Sequence, residues 1–193
     1  MGTAPQGVRA AVGRHKTKGD AKVNTSRQKT LVHSFLSALD EETRPLYEDL
    51  LACLMSLGYT PTKERSNLSF QHSLHNKQIA KMGFKSAKDR RPFFALRFSG
   101  CTGYSKRFVD IVDAYAAKYP TRTARCIKGG CSFCRGDAES HVYFPRVPGS
   151  KSQAHCGAYA IEIPDLVPAD IEEIKRLIAK QHAYLLGQEA SAV

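Results

Sequence analysis

The sequence predicts an α+β fold, a mostly antiparallel sheet packed by helices, with a cysteine-rich metal-binding turn. Three observations carry that expectation. Helix-period and strand-period segments follow one another in the order α, α, β, β, β, α, cysteine turn, β, β, α. The clearest strand, Pro92 to Ser99, alternates Phe94, Leu96 and Phe98 with Phe93, Ala95 and Arg97, so that one face enters a core. Four of the six cysteines fall between residues 126 and 156.

The first helix is expected over Gln28 to Leu39, where Leu31, Phe35 and Leu39 recur every fourth residue. A second starts with Thr43 as N-cap and Pro45 in its first turn, carries Leu46, Leu50, Leu54 and Leu57 on one stripe, and stops at Gly58. Cys53 belongs to this helix as a small buried apolar residue. Strands follow at Asn67 to Leu74, Gln78 to Phe84 and Pro92 to Ser99, with His75-Asn76-Lys77 as a hairpin connection. His72 and His75 are not spaced as metal ligands and read as sheet or surface residues.

A third helix, Ser105 to Tyr119, places Phe108, Ile111, Val112 and Tyr115 at the spacing of a helix packed on a sheet. His141 to Val147 and Ala158 to Ile163 read as two more strands. The last helix opens at Pro168 with Asp170, Glu172 and Glu173 in its first turn and ends near Gly187. Its buried stripe is Ile171, Ile174, Leu177, Ile178 and Leu185, with His182 and Tyr184 as packing or surface residues. The expected core is Phe94, Leu96, Phe98, Phe108, Ile111, Val112, Ile161, Ile174, Leu177 and Ile178.

With 193 residues, 42% hydrophobic and 24% charged, the chain suits one domain with a sizeable core plus an arm. No run approaches the length of a membrane span, and no signal peptide is recognised, so a cytoplasmic protein without membrane contact is expected. The net charge is +11, from 29 basic against 18 acidic side chains, which points toward acidic partners such as nucleic acid. Residues 1–30 contribute +6 of it. Residues 1–26 have four glycines and no hydrophobic period, so they read as a disordered basic arm suited to phosphates, and 27–193 as a single α+β domain.

The cysteines carry the sharpest chemistry. Cys131-x2-Cys134 brings two thiolates to one ion, Gly129 and Gly130 allow the tight turn before it, and Cys126 and Cys156 complete a tetrahedral shell. A closed four-thiolate shell is the mark of structural zinc. His155 or His141 in place of Cys126 gives a three-thiolate, one-imidazole alternative. The spacing Cys126-x4-Cys131-x2-Cys134 with a distant cysteine also fits a [2Fe–2S] cluster, and redox-active thiols are a further alternative. Disulfides are disfavoured in a reducing compartment.

A second constellation is basic. Lys77, Lys81, Lys85, Lys88, Arg90 and Arg91, with Arg97 beyond them, face one carboxylate, Asp89. Gathered on one side with Phe84 and Phe93, they would suit a phosphate backbone with base stacking; scattered, they are a solvated charge run. Cys101, before the third helix, is the best candidate for a reactive nucleophile, against the plainer reading of a buried turn cysteine. Nucleotide-binding glycine fingerprints, Gly-x-Ser-x-Gly and His-Glu-x-x-His are missing.

Ile79-Ala-Lys-Met82, Phe94-Ala-Leu-Arg97-Phe98, Cys131-Ser-Phe-Cys134 and Cys156-Gly-Ala-Tyr-Ala-Ile-Glu-Ile-Pro164, followed by a helix with Gln181-His182, together resemble small uncharacterised bacterial proteins with a late cysteine cluster, over roughly residues 40–186. That resemblance implies a metal site and no reaction type. The expected function is a zinc-stabilised, non-enzymatic protein that binds nucleic acid or a nucleoprotein partner through its basic segments. The alternative is a small-molecule sensor or enzyme with a pocket between sheet and helices, using Cys101 or a metal-bound water. An iron–sulfur or thiol redox protein comes third.

Overall fold

A computed structural model describes residues 18–74, 76–128, 142–145 and 153–187, with side chains from residue 26 onward except at 128. Helices α1 (Lys18–Leu36) and α2 (Arg44–Ser56) lead into strands β1 (Tyr59–Glu64), β2 (Asn67–His72), β3 (Gln78–Phe84) and β4 (Pro92–Leu96). Then come helix α3 (Lys106–Lys118), the short strands β5 (Val142–Tyr143) and β6 (His155–Cys156), strand β7 (Ile161–Ile163) and helix α4 (Ile171–Leu185). The fold is α+β, with a five-stranded antiparallel sheet in the order β1-β2-β3-β4-β7 and a separate β5-β6 pair.

Strand register explains the sheet's two faces. Pro61, Phe70, Ala80, Leu96 and Ile161 lie side by side across all five strands, and Lys63, Leu68, Met82, Phe94 and Ile163 form a second row. Side chains alternate along a strand, so both rows share one face, which from β2 to β7 is apolar and buried. Between them, Thr62, Ser69, Lys81, Ala95 and Glu162 form a largely polar row on the other face. Tyr47, Leu50 and Leu54 of α2, Phe108 and Val112 of α3, and Ile174, Leu177 and Ile178 of α4 join the apolar rows in one core cluster. Full burial of each such side chain stabilises the fold by ~1.5–3 kcal/mol. Of the ten expected core residues only Ile111 is not fully buried; it packs on the cluster's margin.

Several elements depart from expectation. Helix α1 begins at Lys18, inside the stretch whose composition suggests a disordered arm; after Gly19 no helix breaker interrupts the chain up to Leu36. Strand β1 was not anticipated, because Pro61 sits in its middle. As an outer strand it needs N–H groups for one partner only, so proline is tolerated there. Strand β2 ends at His72 and the turn back uses Asn76 at φ +55°; His75 lies outside the described residues. Strand β4 ends at Leu96. Of the strand expected over 141–147, residues 142–145 are described and pair only at Val142–Tyr143; the other late strand is Ile161–Ile163, and β6, which the sequence does not suggest, pairs with Val142–Tyr143.

Polar side chains that carry no periodic signal fix the packing of α4. Gln181 is fully buried: its Oε1 accepts the Gly100 N–H at 2.7 Å, and its Nε2 donates to Ser99 Oγ at 2.9 Å. This draws the chain so close to α4 that a Cβ on Gly100 would stand 2.3 Å from Cβ of Tyr184. Arg107 of α3 donates from Nε and Nη2 to the buried Asp170 carboxylate at 2.7 and 2.9 Å, and Asp170 accepts the Val167 N–H at 3.1 Å. That bidentate pair ties α3 to the start of α4. Among the described residues, no helix is long and apolar enough to cross a membrane.

Candidate functional site

Two adjoining concavities flank the C-terminal end of α3. The smaller one, about 360 Å³, is lined by Cys126 and Cys156 with Arg122, Arg125 and Tyr159. Its construction follows from the backbone. Residues 122–124 run antiparallel beside β6 through a single bridge: Ala124 N–H donates to the Ala154 carbonyl at 2.9 Å, and Cys156 N–H to the Arg122 carbonyl at 3.2 Å. Thr123 pairs with His155 between them. The 3-10 turn Arg125–Lys128 then carries Cys126 to the side where Cys156 emerges.

Strand alternation separates His155 from this pocket. Register pairs His155 with Tyr143 and Cys156 with Val142, so His155 and Cys156 point to opposite faces of the small sheet. His155 is buried, and burial lowers its pKa. Its Nδ1 and the neighbouring Tyr143 hydroxyl, whose pKa burial raises, have no hydrogen-bond partner among the described residues. The substitution of His155 for a cysteine ligand is therefore not supported by its orientation. Cys131, Cys134 and His141 lie outside the described residues; among the described ones, no three His, Cys, Asp or Glu side chains gather as a metal site.

The larger concavity, about 780 Å³, runs between α3 and β7. Lys85, Arg107, Lys118 and Arg122 line it together with Asp110 and Glu162, and Ile111, Tyr115 and Tyr119 form its less polar wall. Most of these charges are already matched. Lys85 pairs with Glu162, Arg107 with Asp170, and Asp110 with Lys106. Among the described residues, Lys118 and Arg122 have no carboxylate partner; each faces an aromatic ring.

Arg122 is held by three tyrosines. Its guanidinium carbon lies 3.9 Å from the Tyr119 ring centroid, 4.5 Å from that of Tyr159 and 5.4 Å from that of Tyr115, and it hydrogen-bonds the Tyr115 hydroxyl. Burial raises the Tyr115 pKa, partly offset by that bond. Lys118 Nζ stands 5.5 Å from the Tyr119 centroid. Cation–π contacts of this kind fix a guanidinium without neutralising it. Arg122 lines both concavities and so forms their common wall.

The expected basic run of residues 77–97 is not one patch. Strand β3 separates Lys77 from Lys85, a span of ~23 Å for seven residues of strand. Lys81 pairs with Glu64 at 2.7 Å and Arg91 with Asp89 at 2.7 Å, while Arg90 lies over Phe84. Arg97 is buried, donating to the carbonyls of Gly157 at 2.7 Å and Gln78 at 3.0 Å. Lys88 is exposed in the β3–β4 loop. Of the six named cations, only Lys85 lines the groove.

Cys101 is not set up as a nucleophile. It is buried against α4, its Sγ 3.5 Å from the Leu177 carbonyl, and burial raises its pKa strongly. A protonated, enclosed thiol cannot attack a substrate. The sequence signal for the groove was Tyr115-x3-Tyr119, with Lys118 and Arg122 interleaved at the end of α3. Of these, helical spacing marks Tyr115 alone, as part of the face of α3 packed on the sheet.

No protein-family model, curated protein or solved structure matches this chain. Function therefore rests on the chemistry of the two concavities.

Proposed function

We propose that this is a zinc-stabilised, non-enzymatic protein that binds nucleic acid, with the α3–β7 groove rather than the 77–97 run as its principal contact surface. The observation that carries the reading is the pair Lys118 and Arg122. They are cations without carboxylate partners among the described residues, set on tyrosine rings in a concave wall. Such a surface offers phosphates an unneutralised charge and bases an aromatic contact. The excess of basic residues in 1–30 adds long-range attraction.

Zinc would be held by Cys126, Cys131, Cys134 and Cys156. Cys126 and Cys156 lining one pocket supports this, since each needs to come within ~2.3 Å of a common ion. The ion would crosslink the 3-10 turn to β6 and brace Arg122, whose carbonyl accepts the Cys156 N–H. Iron–sulfur ligation uses the same residues, and the absorption spectrum of the purified protein separates it from zinc.

The groove's volume also suits a small molecule, which supports ligand sensing as the second reading. The deciding experiment titrates labelled oligonucleotides with full-length protein at two salt concentrations, alongside elemental analysis. Binding should weaken with salt by a log–log slope of about −0.7 to −0.9 per neutralised phosphate. No binding at low salt would remove the nucleic-acid reading and leave the small-molecule one in first place.

A further inference from the structure

We infer that the α3–β7 groove takes a nucleotide unit of a single strand, its phosphate on Lys118 and Arg122 and its base against the tyrosines, and that it does not take a duplex. The inference rests on the nucleic-acid reading above and specifies the substrate. In a duplex the base faces are already stacked on one another, so an aromatic wall gains nothing from it and only the phosphates contribute. An unpaired base offers its face to a tyrosine ring or a guanidinium plane.

The groove is built for that second situation. Tyr115 and Tyr119 line the groove directly, and Arg122, on the wall it shares with the smaller concavity, links them to Tyr159, which is 44% exposed on that adjoining side. Tyr115 and Tyr119 brace one another with ring centroids 5.0 Å apart. A volume of about 780 Å³ accommodates the sugar, base and phosphate of one or two nucleotides. The carboxylates Asp110 and Glu162, engaged with Lys106 and Lys85, lower the groove's net charge. Phosphate attraction alone is then a weak basis for binding here, and stacking has to supply the remainder.

The test compares a single strand of about twelve nucleotides with a duplex of the same sequence at one salt concentration, within the range of single-strand site sizes. The chain has no tryptophan, so its intrinsic emission is tyrosine emission, and a stacked base quenches it directly. The expected result is about tenfold tighter binding of the single strand, with quenching that the duplex does not cause. Tyr159→Ala and Lys118→Glu, at exposed positions, should each remove most of that preference while a single cooperative thermal transition is kept, shifted slightly for Tyr159→Ala by the loss of its contact with Arg122. Equal binding of both forms overturns the inference and leaves the proposed function standing, whereas a preference that survives both substitutions overturns the inference and also the groove as the principal contact surface. No binding of either form overturns both. Displacement of the strand by a micromolar mononucleotide also overturns it, reassigning the groove to a free nucleotide.

Discussion

Between Asn67 and Leu96 three strands of five to seven residues pair in antiparallel ladders, with one register shift at Phe70/Gln71, and bury one apolar face under α2 and α4. Between Thr121 and Ala158, by contrast, the described structure rests on strands of two residues and one 3-10 turn, and it buries a histidine nitrogen and a tyrosine hydroxyl without described partners. The first region closes by apolar burial. Among its described residues the second shows only these short ladders, and its two described cysteines line one pocket. Side-chain packing holds the sheet and helix body, and under the proposed zinc ligation an ion would crosslink the cysteine lobe.

Breaking the body should have the largest effect. Leu177→Ala removes a fully buried side chain and should lower unfolding free energy by about 2–5 kcal/mol in urea titrations, with or without a chelator. A loss that appeared only after chelation would erase the contrast between the regions. Asp170→Asn leaves Arg107 beside a weaker acceptor where α3 meets α4. With Arg107 partly exposed, a loss of about 2 kcal/mol is expected from the same titration.

Cys131→Ser or Cys156→Ser should act on the lobe instead. Purified wild-type protein should carry one zinc by elemental analysis, and either variant should release it. The segment around 121–158 should then become cleavable by protease, while the body's urea midpoint shifts by less than about 1 kcal/mol. Metal-free wild-type protein with the same protease resistance would sink the ion crosslink.

Acid should produce the smallest effect. Burial lowers the pKa of His155 in the lobe, and burial together with His72 lowers that of His182 on α4, both from 6.5. The folded state thus prefers both rings neutral. Their contribution is complete above pH 6.5 and is lost as pH falls below it toward the lowered values. Stability should decline on acidification through that window, and His182→Gln should flatten the decline. An unchanged slope would assign it to other groups.

Periodicity made most of the body legible. The alternation at Phe94, Leu96 and Phe98 and the stripe at Ile174, Leu177 and Ile178 identify faces whose burial is their only requirement. What escaped was whatever depends on a partner far along the chain. Arg97 reads as an exposed strand residue, but its guanidinium is buried by the Gly157 carbonyl 60 residues away. Gln181 lies on the apolar stripe of α4 and serves the backbone of Gly100.

The candidate site follows the same rule. Cys126 and Cys156, singled out by the spacing that ligand chemistry favours, line one pocket. The groove was not legible, since Arg122 acquires its role only when β7 and Tyr159 return beside α3. In the 77–97 run, sequence proximity suggested a patch that strand extension then pulled apart.

Pro61 has a consequence outside the molecule. An outer strand ordinarily offers a complete row of donors and acceptors to any chain that approaches, which makes it a template for association between molecules. At Pro61 that row lacks a donor, and Lys63 and Glu64 end the strand with charge. A second copy laid against β1 would meet a gap in the middle of the ladder. The residue that hides this strand from pattern recognition thus also guards the protein against self-templated aggregation at high concentration.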